Sequence, residues 1–406
     1  MYTRELYQKI WQELAADKEM IFLAGPRQAG KTTLANIIAE SFANSLYCNW
    51  DIAEQRTRLL RNPSFFEEME RRDASLPLVI FDEIHKYRDW KNYLKGIYDR
   101  FRSEYRFLIS GSGRLDIYQK GGDSLAGRYL LFYLFPFTVA ELGASRRPFG
   151  EFIADPLTVN VERSAELQQI WEGLARCSGF PEPFLAGKAA TYTRWSNTYA
   201  RQLIREDIRD LTDVRSVTAM ETLFHLLPSK VGNPLSVAGM ARDIQISPAT
   251  VQNWLAVFER FFLAFSIAPW TAKIARAVLK ERKMYLFDVP RIKDAGALFE
   301  NMVALELWRA VASWNDLGLG AFGLHFIKNK EKQEVDFLLT RDHEPFLLVE
   351  AKLSERKPSV PLKKFQQVLH VPAVQLIGTG DSYRHFSNGE QKIMVAPAWT
   401  WLAGLP

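Results

Sequence analysis

The chain has 406 residues, of which 47% are hydrophobic and 24% charged. This is ordinary globular composition for roughly two to four domains, and it excludes a mainly disordered chain. A net charge of +5 permits a nucleic-acid partner without demanding one. Two cysteines, Cys48 and Cys177, cannot build a disulfide framework or a four-cysteine zinc site.

The N-terminal MYTRELYQKI is charged and amphipathic, which reads as a helix and not as a signal peptide. Leu6, Ile10, Trp11 and Leu14 form its apolar stripe. Met20-Ile21-Phe22-Leu23 is a short apolar run ending in Ala24-Gly25, the pattern of a buried strand entering a loop. A helix is expected over residues 32–42, then strands over 45–51, 76–81 and 105–110. Strands alternating with helices predict an α/β fold with a parallel sheet. The longest apolar stretch, residues 129–140, contains Pro136 and Thr138. It falls short of the ~20 residues a membrane-spanning helix needs. A soluble, cytoplasmic chain with no membrane partner is the expectation.

Residues 25–32, Gly25-Pro26-Arg27-Gln28-Ala29-Gly30-Lys31-Thr32, match G-x-x-x-x-G-K-[ST] at every fixed position. Glycines let the backbone curl so that successive N–H groups face phosphate oxygens. The following helix adds its N-terminal partial charge. Lys31 is placed for the β and γ phosphates and the Thr32 hydroxyl for Mg2+, with Thr33 next in the loop. Leu78-Val79-Ile80-Phe81-Asp82-Glu83 supplies carboxylates at a strand end: Asp82 to hold Mg2+ and Glu83 to polarise the attacking water. The strand ending at Ser110 brings that hydroxyl, with Gly111 and Ser112, toward the γ phosphate. Arg128, and less so Arg114, are candidates to stabilise transition-state charge, in this chain or a neighbouring copy. ATP (or GTP) and Mg2+ are the cofactors this pattern calls for.

GPRQAGKTTL at 25–34, VIFDEIHKYRDW at 79–90, FLISGS at 107–112 and LAGRYLLFYLFPFTVAEL at 125–142 resemble prokaryotic AAA-family ATPases. That family pairs this module with a winged helix and a restriction-endonuclease-like C-terminal domain. GFPEPF at 179–184 and IREDIRDL at 204–211 fit the same pattern. The resemblance implies a P-loop AAA-type core over residues 1–145, a helical lid over 146–215, a winged helix over 216–282 and a nuclease-like α/β domain over 283–406.

The residues of the middle segment carry their own signal. Ser247 is a natural N-cap with Pro248 at the first helical position, and the expected second helix offers Thr250, Gln252 and Asn253 to base edges or phosphates. Lys273, Arg276, Lys280, Arg282 and Lys283 form a basic stretch that reads as a phosphate-tracking wing.

Near the C-terminal end, Glu350 and Lys352 share a strand face, and Asp336 lies on the preceding strand. Carboxylates so placed can hold Mg2+ beside a lysine. The arrangement resembles the PD-(D/E)xK nuclease core, with Glu300 in the helical acid position, although Val335 stands where that motif has proline. Gln366 is an accessory candidate. The six histidines show no ligand spacing.

The leading expectation is an Mg2+-dependent AAA-type ATPase acting on DNA, branched DNA included, and assembled as a homo-oligomer or ring. Two alternatives stand beside it. One is an ATP-gated metal-dependent DNA nuclease, the other a nucleotide-controlled protein-interaction switch without DNA activity.

Overall fold

The computed structural model describes residues 3–111, 125–159, 162–208, 216–271, 281–380 and 383–406. Ser112, Arg114, Lys273, Arg276, Lys280 and residues 209–211 lie outside these described residues. The chain divides into two compact units, Met1–Pro136 and Phe137–Pro406.

The first unit is built on a five-stranded sheet in the order β2-β3-β4-β1-β5. Its strands are β1 (Met20–Ala24), β2 (Ser45–Asn49), β3 (Leu78–Asp82), β4 (Arg106–Ser110) and β5 (Leu130–Tyr133). All neighbouring pairs are parallel. β1 and β3 are buried at every residue, as expected of parallel strands covered on both faces. Helices α1 (Glu5–Asp17) and α2 (Lys31–Glu40) pack on the sheet through Leu6, Ile10 and Leu14, and through Leu34, Ala35 and Ile38. Trp90, Leu94, Ile97 and Phe101 of α4 (Trp90–Phe101; α3 is Ala53–Arg61) join Phe22, Phe66, Phe81 and Phe107 in one cluster. Phe66 sits edge-on to Phe81, Phe101, Tyr105 and Phe107. Truncating it to alanine would cost about 3–5 kcal/mol. The helix and strand bounds lie within a few residues of those read from the hydrophobic pattern.

The second unit opens with short helices α5 (Val139–Leu142) and α6 (Phe149–Ala154), then α7 (Ser164–Cys177), α8 (Pro181–Ala186) and α9 (Ala189–Gln202). Next come α10 (Val217–Leu226), α11 (Val237–Asp243) and α12 (Pro248–Arg260). An eight-stranded mixed sheet follows, ordered β12-β13-β11-β10-β9-β8-β6-β7. It contains β6 (Ala264–Pro269), β7 (Lys283–Leu286), β8 (Phe322–Lys328), β9 (Glu334–Arg341) and β10 (Glu344–Lys352). β11 (Ala373–Ile377), β12 (Arg384–Asn388) and β13 (Gln391–Pro397) complete it. β6 pairs antiparallel with β7 and parallel with β8, so one sheet runs across residue 283.

The 22-residue helix α13 (Ala295–Asp316) is buried on nearly every side, which matches its near-continuous apolar sequence. Asp294 caps it by accepting from the Ala297 N–H at 2.8 Å. Helices α14 (Val360–Leu369) and α15 (Ala398–Leu402) complete the unit. No described helix is long and apolar enough to cross a membrane.

Candidate nucleotide site and acid cluster

The loop between β1 and α2 is shaped by two glycines. Gly25 has φ +147°, and a Cβ there would stand 2.1 Å from the Leu134 carbonyl oxygen. Gly30 has φ +97° at the N-cap of α2. Both conformations favour glycine. Ala29 is fully buried, Gln28 is exposed with φ +61°, and Pro26 and Arg27 line the curl between them. Lys31 is buried at the first position of α2, and its ammonium donates to the Gly25 carbonyl at 3.0 Å and the Pro26 carbonyl at 2.7 Å. Thr33 follows on the helix, half-buried.

Asp82 ends β3 and is buried. Its Oδ2 accepts from the Thr32 hydroxyl at 2.8 Å and from the Tyr47 phenol at 2.5 Å. Burial and the Asp82 charge push the Tyr47 phenol up, so it stays a donor. Glu83 has φ +57°, and its N–H donates to the Ser110 carbonyl at 2.8 Å. Its carboxylate lies 3.3 Å from the Lys86 ammonium and 3.6 Å from His85, while Lys86 also holds Asp51 at 2.6 Å. Burial pulls the His85 imidazole down, which favours its neutral form. In register, Ser110 stands beside Leu23 on one side and Asp82 on the other. Its hydroxyl is fully buried and makes no hydrogen bond. A buried hydroxyl without a partner carries a desolvation cost, which a phosphate oxygen or water at the sheet end would relieve.

Two contributors escape the motif. Arg4, buried, donates to the Ala29 carbonyl at 2.8 Å and the Phe135 carbonyl at 2.6 Å, tying the loop to the segment just after β5. Tyr47 is the other, through Asp82. No sequence spacing signals Arg4, because its acceptors are backbone groups 25 and 131 residues away. Arg128 forms a two-point pair with Asp99 of α4, at 2.8 and 3.0 Å.

The helix pair α11–α12 has side-chain caps at both starts. Ser236 accepts from the Gly239 N–H and Ser247 from the Thr250 N–H. Gln252 and Asn253 are exposed and Thr250 half-buried, while Val251, Trp254 and Phe258 point into the core. In the basic stretch Arg282 is exposed, but Lys283 is not. It is fully buried, which corrects its reading as a phosphate-tracking residue. Pairing of β7 with β6 turns Lys283 and Tyr285 to one face.

That face meets the C-terminal acids. The Lys283 ammonium lies 3.0 Å from Glu300 Oε1, 2.7 Å from Glu334 Oε1 and 3.7 Å from Asp336 Oδ1. The Tyr285 hydroxyl donates to the same Glu300 oxygen at 2.8 Å. On the other side, Lys352 stands 2.8 Å from Glu350 and 3.8 Å from Asp336, and the Ala351 N–H donates to Asp336 Oδ2 at 3.0 Å. Glu350 Oε2 is buried without a hydrogen bond. Burial, then the neighbouring Asp336 charge, pushes Glu300 and Glu350 above the usual carboxylate range. Asp336, Glu350 and Lys352 therefore meet as expected, and Glu300 is close by but occupied by Lys283.

Among the described residues, no three Asp, Glu, His or Cys side chains are arranged to hold a metal ion. Of the expected set Glu300, Asp336 and Glu350, Glu300 is engaged by Lys283 and Tyr285. Gln366 is also corrected: it is fully buried, donates to the Lys392 carbonyl at 3.0 Å and accepts from Asn388 at 2.8 Å, a structural bracket and not a site contact.

Comparison with known families gives three consecutive matches along the chain. Residues 17–143 match the family described as AAA domain. Residues 168–290 and 295–400 match two domains of unknown function, DUF8612 and DUF4143. An uncharacterized protein of Mycobacterium tuberculosis, Rv2008c, is 23% identical over 336 residues, covering 80% of this chain and 69% of the relative. An uncharacterized protein of Methanocaldococcus jannaschii, MJ1637, is 23% identical over 398 residues, covering 86% and 79%. Among solved structures, the Walker-type ATPase PABY2304 of Pyrococcus abyssi aligns with TM-score 0.43 and 15% identity over 73% of this chain and 96% of its own. The Drosophila ORC bound to DNA aligns with TM-score 0.26 and 10% identity over 66% and 86%. The family match and the parallel sheet with its phosphate-binding loop together make the first unit an AAA-type P-loop ATPase domain.

Proposed function

We propose that this chain is an Mg2+-dependent AAA-type ATPase that acts on DNA, coupling ATP hydrolysis to movement or remodelling of the nucleic acid. The observation that carries the reading is the convergence of the residue 25–32 loop, Asp82 and the unpartnered Ser110 hydroxyl at one end of the sheet. The donor set suits Mg2+. Thr32 Oγ1 and Asp82 Oδ2 are hard oxygen donors 2.8 Å apart. They would hold the ion, which when bound with ATP neutralises charge across the β and γ phosphates.

The protein's own groups do the rest. The loop amides cradle the phosphates, and Lys31 exchanges its two loop carbonyls for phosphate oxygens. Glu83 orients the attacking water once its carboxylate leaves Lys86, and Ser110 donates toward the γ phosphate. Arg128 pairs with Asp99 within the chain. As a charge stabiliser for itself or a neighbouring copy in a ring, it would first give up that partner.

The DNA part rests on the capped α11–α12 pair and the β6–β7 hairpin after it, read as a winged helix that presents Thr250, Gln252 and Asn253. ATPase rates with and without single-stranded, duplex and four-way DNA test it. The expected result is Mg2+-dependent turnover raised by at least one DNA form and abolished in Lys31→Ala and Glu83→Gln. Turnover indifferent to every DNA would favour a nucleotide-controlled protein-interaction switch.

The alternative of an ATP-gated, metal-dependent DNA nuclease is favoured by one observation, the meeting of Asp336, Glu350 and Lys352. Mg2+-dependent strand breaks that vanish in Asp336→Ala, read on a gel from the same reactions, would establish it. Intact DNA throughout would remove it.

A further inference from the structure

At the end of β3, one ammonium stands between two carboxylates. Glu83 opens a short 3-10 turn, Ile84–Lys86, in which the Lys86 N–H donates to the Glu83 carbonyl at 3.1 Å. The Lys86 ammonium lies 3.3 Å from Glu83 Oε2 and 2.6 Å from Asp51 Oδ2. Asp51 arrives from the neighbouring strand. β2 ends at Asn49, in register with Asp82, and the Trp50 N–H donates to the Asp82 carbonyl at 3.0 Å. The Asp51 N–H donates to Asn49 Oδ1 at 2.9 Å, which pins the turn. The Trp50 and Tyr87 rings stack with centroids 5.0 Å apart, so the two segments are held together. The Glu83 side chain is 15% exposed, against 43% for Lys86 and 52% for Asp51. Burial opposes the Lys86 charge, yet Asp51 and Glu83 hold the ammonium above the ordinary lysine range. His85, 3.6 Å from the same Glu83 oxygen, is pulled toward its neutral form by burial, so it competes weakly with Lys86.

We propose that Lys86 is a latch on Glu83 and Asp51 its release: the two carboxylates compete for one ammonium, and Glu83 orients water only while Lys86 rests on Asp51. This rests on the reading of Glu83 given above. An ammonium against a carboxylate occupies its lone pairs and lowers its basicity, which weakens it as a group that polarises water. Ion pairs this exposed are individually weak, so the exchange between the two acids is easy and a small movement of the Trp50–Asp51 turn shifts it. Asp51 and Lys86 are therefore positioning residues, acting on the reaction through Glu83. Their effects have opposite signs. Removing Lys86 frees Glu83, whereas removing Asp51 leaves Lys86 wholly on Glu83.

Steady-state ATP turnover of the full chain, with Mg-ATP varied and no DNA present, tests the latch. We expect Lys86→Met to raise kcat about threefold to fivefold with KM unchanged, and Asp51→Asn to lower kcat by a similar factor. The double variant should match Lys86→Met, because Asp51 then has nothing to act through. Lys86→Arg, which keeps the charge, should show no rise. The proposal is overturned if Lys86→Met turns over no faster than the parent, if Asp51→Asn is not slower, or if the double variant falls below Lys86→Met. Glu83→Gln, measured alongside, separates the two ways of failing. Turnover that survives it removes Glu83 as the water-orienting group and the latch with it. Turnover lost in Glu83→Gln but not raised in Lys86→Met overturns the latch alone. Should Lys86→Met not fold, the kcat and KM of Asp51→Asn decide.

Discussion

Asp82, at the end of β3, faces a threonine hydroxyl and a tyrosine phenol. Asp336, on β9, faces two ammonium groups, Lys283 and Lys352. Both aspartates are buried in sheets of largely apolar strands. The first site keeps its positive charge on hold: Lys31 rests on two carbonyls that a phosphate can replace, and Ser110 has no partner. The second has already spent its cations on its own carboxylates. One site is arranged to receive a ligand, and the other is largely neutralised from within.

The largest effect expected from breaking this contrast is on stability. Lys283→Gln takes one ammonium from half-buried Glu300 and Glu334 and from buried Asp336, at a cost of about 3 kcal/mol, measurable by chemical denaturation. A double variant Lys283→Gln/Glu300→Gln should recover part of that loss, because the two residues are in contact. Lys31→Ala should leave stability nearly untouched and lower ATP turnover by on the order of 10²–10³-fold, read in a steady-state assay.

Ser110→Ala sharpens the comparison further. Removing a buried hydroxyl without a partner should leave the fold as stable or slightly more so, while kcat falls roughly tenfold through loss of a transition-state hydrogen bond. Lower stability with unchanged kcat would show the hydroxyl to be structural.

The smallest effect concerns a buried carboxylate that lacks a lysine. Glu306 is fully buried with Oε2 unpaired, and burial raises it to about 7 against an ordinary 4.5. The folded chain therefore holds this proton more tightly than the unfolded one. Its stabilising contribution is complete below about pH 4.5 and is lost as the pH rises toward 7. Glu306→Gln should remove that slope, shifting melting at pH 8 upward by about 2–4 °C relative to the parent. Glu334, paired with Lys283 and below its ordinary value, carries the opposite slope.

The nucleotide loop was legible because its residues are contiguous, from Gly25 to Thr32, and because β1 and β3 announce themselves as apolar runs. Asp336, Glu350 and Lys352 were legible through strand alternation. Lys283 was misread because it ends a run of basic residues typical of a solvated surface. The countersignal was the apolar Met284-Tyr285-Leu286-Phe287 directly after it, which places a lysine at the mouth of a buried strand. Even so, its partners come from α13 and β9, and only the pairing of β7 with β6 brings them together. Arg4 and Tyr47 act through a backbone carbonyl and a carboxylate far along the chain, contacts that leave no local periodicity.

The most direct test of the account is calorimetric titration of Mg-ATP into the folded full-length chain and into Lys31→Ala. The account predicts one saturable site in the parent and its loss, or a steep weakening, in the variant. A parent that gives no binding heat, or a variant that binds as tightly as the parent, would contradict it.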